Sequence, residues 1–369
     1  MIRFIYGSGG SGKTKRIYEL IKADIAAGKR AFLLVPEQQA VTTERQMTDI
    51  LPSCAPLYFE VLNFSRLANS VFRKYGGLSY KYATKGTKSL LMWRALSELS
   101  PFLREYKSSA DDCPSVPVML SAYSELRAYA VSAEKLGQIA DKLPKGSPAG
   151  GKFSDIALVC SFYEALLREK YADAADDLDT LAAMLKKHNF FDGANVYIDS
   201  FSSFTAQENL ILAGIFNTAE NTTAAFLCDG AKGDRLHFGE VYDTCTKLKG
   251  IAEGQGQMVE EEYLPDTISA RPPALFFVQK NLWALDTAAD TSYVGNVGDA
   301  VRIIECPDPF TEAEAVATDI IRRIQLGARY RDFAVITRRT SDYEGIIDAV
   351  FEKYKIPFFM SSASDLQSR

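Results

Sequence analysis

Histidine is nearly absent from this 369-residue chain, which has only His188 and His237. Ser-His or Cys-His nucleophilic catalysis therefore has almost nothing to work with. The six cysteines (Cys54, Cys113, Cys160, Cys228, Cys245 and Cys306) lie far apart, with no CxxC pair. That spacing writes neither a zinc nor an iron–sulfur site, and buried thiols are expected instead. No apolar run reaches the ~18 residues a membrane helix needs, and no charged segment precedes the first strand, so the expectation is a cytoplasmic protein without membrane contact. Positive charge is not in excess either: 42 Lys and Arg face 47 Asp and Glu, for a net charge of -5. Coating nucleic acid by bulk charge is excluded, and any anion must be gripped locally.

What is present is ample core material, with 47% apolar and 11% aromatic residues in a chain long enough for two or three domains. Residues 2–6 are a short apolar run, 7–12 a glycine-rich turn, and 13–27 an amphipathic segment closed by Gly28. Strands at 31–35 and about 58–62 alternate with helices at about 40–51 and on through Val71. Such alternation predicts an α/β fold with a parallel sheet and crossover helices. From 76 to 189 helical periodicity takes over, broken by Pro and Gly clusters at 111–117 and 144–151. Strands are expected again at 195–198 and 224–228, with helices near 206–216 and after Glu240. A soft stretch at 266–299 suggests a linker or surface excursion. A second α/β unit is expected from Val301, with strands at 301–305, 333–337 and 357–360 and helices at 311–326 and 342–354. A parallel sheet with so few strands leaves a bare edge, which suggests a fragment of something longer.

The sharpest motif is Gly7-Ser8-Gly9-Gly10-Ser11-Gly12-Lys13-Thr14, which satisfies GxxxxGK[ST] between an apolar strand and a helix start. Four of its eight residues are glycine because backbone N–H groups must wrap a phosphate at close range. Lys13 would neutralise the β- and γ-phosphates of ATP, Thr14 would hold Mg²⁺ through its hydroxyl, and the helix dipole would add its positive end. The second half of a nucleotide site is an acidic residue at the end of another strand, and Asp199 after Val196-Tyr197-Ile198 supplies it as a Mg²⁺ ligand. Motors place a glutamate next, to orient and deprotonate water. This chain has Ser200 there, with Glu208 as a distant substitute. Nucleotide binding is expected to survive where hydrolysis does not, and no catalytic residue is assigned.

These pieces, together with Val35-Pro36-Glu37-Gln38, the run 61–68, the run 197–208 and Asp332-Phe333-Ala334-Val335-Ile336-Thr337-Arg338, resemble the B subunit of the AddAB helicase-nuclease family. The resemblance runs the length of the chain. It implies a P-loop NTPase fold of RecA-like, superfamily 1 helicase type. Residues 1–75 and 190–265 would form the first RecA-like domain, 76–189 an inserted helical domain, 266–300 a linker and 301–369 the start of a second RecA-like domain. It also implies an AddA-type motor subunit as partner in a heterodimer, and contact with single- and double-stranded DNA during double-strand break repair. The strand would be scanned for the regulatory Chi sequence. The family's nuclease, with its iron–sulfur cluster, would lie outside these residues. Position by position, the resemblance implies that Gln38, Phe64, Arg66 and Phe204 face the DNA and that Arg338, with Arg339 as the neighbouring register, reaches the γ-phosphate. One departure is Ala40, where the family can have Thr. The aromatic and cationic stretch 80–88 fits a single-strand groove or a solvated helix start equally, and Glu260-Glu261-Glu262 is expected as surface.

Other readings compete, among them a structural scaffold that binds no nucleotide, which the intact Lys13 and Thr14 oppose. A free-standing P-loop kinase or GTPase would leave the second α/β unit unexplained, and the chain has no guanine-reading Asn/Thr-Lys-x-Asp motif. An active superfamily 1 translocase is opposed by Ser200.

Overall fold

Alternating apolar residues along the first strand set up a sheet that is buried on both faces. The computed structural model describes residues 1–52, 57–77, 82–107, 114–144, 146–171, 174–228, 235–265, 272–281 and 292–360. Cys54, Cys113, Tyr80 and Lys81 lie outside them, as do 266–271 and 282–291. Strand β1 (Ile2–Gly7) sends Ile2, Phe4 and Tyr6 to one face and Ile5 to the other. Then follow α1 (Lys13–Ala26), β2 (Arg30–Leu34), α2 (Glu37–Ile50), β3 (Phe59–Leu62) and α3 (Phe64–Tyr75). After a run of helices come β4 (Ala194–Ile198), α9 (Ala206–Thr218), β5 (Asn221–Leu227), α10 (Arg235–Glu253) and β6 (Val259–Tyr263). The six strands are parallel, in the order β3-β2-β4-β5-β1-β6.

Each face of the sheet has its own core. Helix α1 presents Ile17, Ile21 and Ile25 at a spacing of one turn, and they pack with Ala40 and Met47 of α2 on Ile5, Leu33, Val61 and Tyr197. The opposite face is larger, with Phe4, Phe32, Val196 and Phe226 covered by α3, α9, α10 and the helix that precedes β4. The expected α/β class is thus realised as a sheet between two helical layers.

One strand went unread in the sequence. The acidic run expected as plain surface forms the edge strand β6, paired with β1 so that Arg3 stands opposite Glu260. Arg3 meets Glu260 at 3.1 Å, Arg16 meets Glu262 at 3.1 Å, and Lys249 pairs with Glu261. A charged edge resists strand addition by another chain, and here it is tied down by cations from β1, α1 and α10. Three consecutive glutamates have low strand propensity, and the pairing is stabilised by these cations together with Val259, which packs on the sheet core, and Tyr263, which stacks on Tyr6 with ring centroids 5.0 Å apart.

Helices α4 (Lys85–Leu99), α5 (Ser115–Ala128), α6 (Ala133–Lys142) and α7 (Pro148–Lys170) follow α3. Met92, Leu96, Met119, Tyr123, Val159 and Tyr163 form their separate core. Helix α8 (Ala174–Lys187) instead returns Leu181 and Leu185 to the sheet core. Arg127 of α5 donates to Asp179 of α8 at 2.7 Å, and Gln207 of α9 donates to the other oxygen of Asp179 at 2.9 Å. Asp155, 2% exposed on α7, accepts the backbone N–H groups of Arg104, Glu105 and Tyr106 at 2.8 to 3.1 Å and so pins the turn after α4.

The chain divides into two compact units, Met1–Thr267 and Ile268–Arg369. The second contains α11 (Pro273–Asn281), a helix inside the stretch expected as linker, then α12 (Pro309–Gln325) and α13 (Ile346–Lys353). Ala313, Ala317 and Ile320 of α12 pack on Val350 and Phe351 of α13 and on Ile356. The strands expected at 301–305, 333–337 and 357–360 do not form among the described residues. Ile303, Ile336 and Phe359 are over nine-tenths exposed. A β-branched run becomes a strand only against a paired neighbour, and these runs have none among the described residues. No helix among the described residues is long and apolar enough to cross a membrane.

Removing the Asp155 carboxylate leaves three partly buried N–H groups without their acceptor. Asp155→Ala is expected to destabilise the first unit by about 2 to 4 kcal/mol in urea denaturation, and Asp155→Asn by less. A loss below about 0.5 kcal/mol for the alanine variant would show that the turn stands without its clamp.

Candidate functional site

In a parallel sheet every strand ends at the same edge, so the residues that follow β1, β2, β3 and β4 gather on one side of the first unit. The glycine-rich loop leaves β1 there. Gly10 and Gly12 adopt left-handed backbone (φ 76° and 94°), conformations that a side chain resists. A Cβ on Gly7 would lie 2.3 Å from Ser11 Oγ. Gly9 and Gly10 make the turn itself, which Ser11 N closes by donating to Ser8 O at 3.2 Å. Helix α1 starts at Lys13 with no acidic residue in its first turn, which leaves its positive dipole end uncompensated.

Lys13 Nζ donates to the carbonyls of Gly7 and Ser8, each at 2.7 Å, and so folds back over the loop. Thr14 Oγ1 donates to Asp199 Oδ2 at 2.7 Å, joining the start of α1 to the end of β4 across 185 positions of sequence. The loop and the acid, predicted separately, are therefore side by side. Ser11 Oγ is buried without a hydrogen-bond partner. Asp199 is buried, and desolvation pushes its carboxyl above the ordinary carboxylate range. Hydrogen bonds from Thr14 and the Ser200 backbone and the charge of Lys13 act the other way without cancelling it.

A hydroxyl and a carboxylate converging here are hard oxygen donors of the kind Mg²⁺ takes. Among the described residues no group of three or more His, Cys, Asp or Glu lies together to hold a metal by side chains alone. Ser200 has left-handed backbone (φ 68°), and its N–H donates to Asp199 Oδ1 at 2.9 Å. Glu208, weighed in the sequence as a substitute base, is occupied as the third residue of α9. Its carboxylate accepts Thr205 N at 2.8 Å while its own N–H donates to Thr205 Oγ1, a capping box.

The four residues to which the resemblance gives a DNA-facing role lie at or beside this edge in unlike settings. Gln38 is exposed in the first turn of α2. Arg66 is in the first turn of α3, where Asn63 Oδ1 caps the helix by accepting Arg66 N at 2.7 Å. Phe64 and Phe204 are buried, 8% and 9% exposed, and their ring centroids lie 6.4 Å apart, edge to face. Phe201, not singled out in the sequence, packs on both, at 5.8 Å from Phe64 and 4.8 Å from Phe204, and keeps more exposure than either. Phe64 and Phe201 line a cavity of about 510 Å³ with Pro36, Asn63, Tyr82 and Asp177. Tyr82 OH donates to Asp177 at 2.9 Å across its wall. The sequence signal for Phe201 was its place two residues after Asp199, where a chain leaving β4 must turn along the edge.

Arg338 belongs to the second unit. It is exposed and lines a cavity of about 360 Å³ with Arg339, Asp342 and Tyr343. Arg339, the other register, is paired with Asp342 at 3.1 Å.

Comparison with known proteins places this geometry in context. The family described as ADDB, N-terminal, matches residues 4–285. The chain is similar to the B subunit of the ATP-dependent helicase/deoxyribonuclease of Acetivibrio thermocellus, with 31% identity over 375 residues, 99% of this chain and 32% of that protein. Proteins of the same name from Clostridium tetani and Clostridium acetobutylicum are 29% and 28% identical, over 97% and 99% of this chain and 32% of each. The chain spans about a third of the length of the curated relatives it matches.

Burial penalises the ionised form of Asp199, so this carboxylate lowers stability above its raised pKa, and the penalty is relieved as pH falls through that value. An asparagine can keep both contacts, accepting Ser200 N and donating to Thr14 Oγ1. Asp199→Asn is therefore expected to raise the stability of the nucleotide-free chain by about 1 kcal/mol at neutral pH, and the gain should shrink on acidification. Urea titrations from neutral pH down through the acidic range would check this; a destabilised variant would mean that the charge itself holds the loop.

Proposed function

Because the chain belongs to the family of AddB N-terminal regions, we propose that it is the helicase-like part of the B subunit of an AddAB-type helicase-nuclease in double-strand break repair by recombination. In this reading Met1–Thr267 is a P-loop, RecA-like domain that binds ATP with Mg²⁺ and grips single-stranded DNA at the neighbouring strand ends. An AddA-type motor subunit completes the heterodimer, double-stranded DNA is the substrate of the whole machine, and the chain scans the single strand for Chi in the cytoplasm.

The observation that carries the nucleotide reading is the 2.7 Å contact between Thr14 and Asp199 at the mouth of the glycine-rich loop. When ATP binds, Lys13 leaves the carbonyls of Gly7 and Ser8 for the β- and γ-phosphates, exchanging two neutral acceptors for charged ones. The loop N–H groups of residues 9–14 wrap the phosphates, and the buried Ser11 hydroxyl gains a partner. Bound Mg²⁺, held by Thr14 Oγ1 and by Asp199 directly or through water, would offset the phosphate charge. Hydrolysis also needs a base that orients water. Ser200 has no carboxylate, and that of Glu208 is committed to its helix cap, which supports binding without appreciable turnover.

The DNA reading rests on the same edge. Gln38 and Arg66 offer an amide and a guanidinium to base edges, and the cavity floored by Phe64 and Phe201 offers aromatic surface to an unstacked base. Phe204 acts from behind by fixing both rings. A chain of net charge -5 binds DNA through such local contacts and not through its overall field.

Lys13→Ala is expected to abolish binding of a fluorescent ATP analogue with Mg²⁺ while changing affinity for a single-stranded oligonucleotide by less than about twofold, since the two sites share no side chain. Loss of both activities together would reject the two-site arrangement.

A further inference from the structure

Arg66 enters the DNA reading as a guanidinium that pairs with a base, but it already has a partner. Its Nη1 donates to Glu44 Oε1 at 2.7 Å. The two residues come from helices that cover opposite faces of the sheet, Glu44 from the middle of α2 and Arg66 from the first turn of α3. The backbone of Arg66 is held by Asn63, so the guanidinium reaches Glu44 from a fixed base. The side chains stay 40% and 46% exposed, which makes the pair solvated and readily exchanged.

The charge arrangement selects between two kinds of ligand. A phosphate approaching Arg66 meets the Glu44 carboxylate at short range, and like-charge repulsion cancels much of its attraction. A neutral base edge carries only partial charges and feels far less of that repulsion. Guanine presents two acceptors, O6 and N7, at the spacing a guanidinium fork matches. A free arginine in a strand channel strengthens contact with any phosphate it passes and so adds affinity without sequence information. An arginine covered by a carboxylate loses that term and keeps the base-reading one, which is specificity built by repulsion of the wrong ligand.

We propose that Glu44 is a specificity-determining positioning residue, which shields Arg66 from the phosphates of single-stranded DNA and yields it to the acceptor edge of guanine. The proposal rests on the DNA-facing role given to Arg66 above.

The test is a fluorescence-anisotropy titration of the 369-residue chain with two thymine oligonucleotides, one carrying a single guanine, at two salt concentrations. The proteins are wild type, Glu44→Gln, Arg66→Ala and the double variant, each with a thermal melt to check folding. The expected result is that Glu44→Gln tightens the all-thymine strand by about two- to fivefold and the guanine strand by less, so the preference for guanine narrows. Its log-affinity against log-salt slope should steepen by ~0.7, one added phosphate contact, and both changes should vanish in the Arg66→Ala background. If Arg66→Ala weakens binding but Glu44→Gln leaves preference and slope as they were, the shielding role is overturned and the DNA role of Arg66 stands. If Arg66→Ala binds like wild type, the DNA reading itself fails and the proposal with it.

Discussion

A parallel sheet covered by helices on both sides has one place where side chains of different strands can meet in the open, the edge where all the strands end. The first unit depends on that constraint. Its six strands run the same way, so the loop after β1, the first turns of α2 and α3 and the acid that ends β4 lie along one border, although their sequence positions span almost 200 residues. Burial of both faces makes the border rigid. Ile17, Ile21 and Ile25 clamp α1 to one face, and Phe4, Phe32 and Phe226 are sealed under the other.

Three of the side chains on this border already hold exchangeable partners. Lys13 rests on two loop carbonyls, Thr14 on Asp199, and Arg66 on Glu44. Lys13 holds two neutral acceptors, which a phosphate would exchange for a charge-assisted contact in the reading proposed above, and the half-exposed Arg66–Glu44 pair is screened by solvent and readily exchanged. In a chain of net charge -5, this is how cations are kept in place without attracting every anion nearby. The same economy appears at β6, where three glutamates on an open edge are neutralised by Arg3, Arg16 and Lys249.

Much of this was legible in the residues. The alternation of strand and helix, the GxxxxGK[ST] loop and an acid after Val196-Tyr197-Ile198 each follow from a short-range rule, and the structure brings Thr14 and Asp199 into contact. What was not legible depends on distant partners. Glu260, Glu261 and Glu262 lie at the surface as expected, but that they pair as an edge strand shows only once Arg3 and Lys249 stand beside them. Glu208 looks like a spare base until Thr205 is seen to use it as a cap. Phe64 and Phe204 fit a stacking role by motif, and only packing reveals that they are buried against Phe201. In the second unit the apolar runs at 301–305 and 333–337 fit strands by pattern, but a strand is a paired object and no ladder forms there among the described residues.

Legible from the residues alone were the α/β class, the place of the glycine-rich GxxxxGK[ST] loop between strand and helix, and the serine that follows Asp199, because each is written in neighbouring residues and needs no partner far along the chain. Tertiary structure alone decided which charges neutralise which, which aromatics face open space, and that Arg66 is held by Glu44 across 22 positions of sequence. Those outcomes follow from the order in which strands pair and the faces on which helices settle, a choice made by the burial of the whole sheet and by no single segment of it.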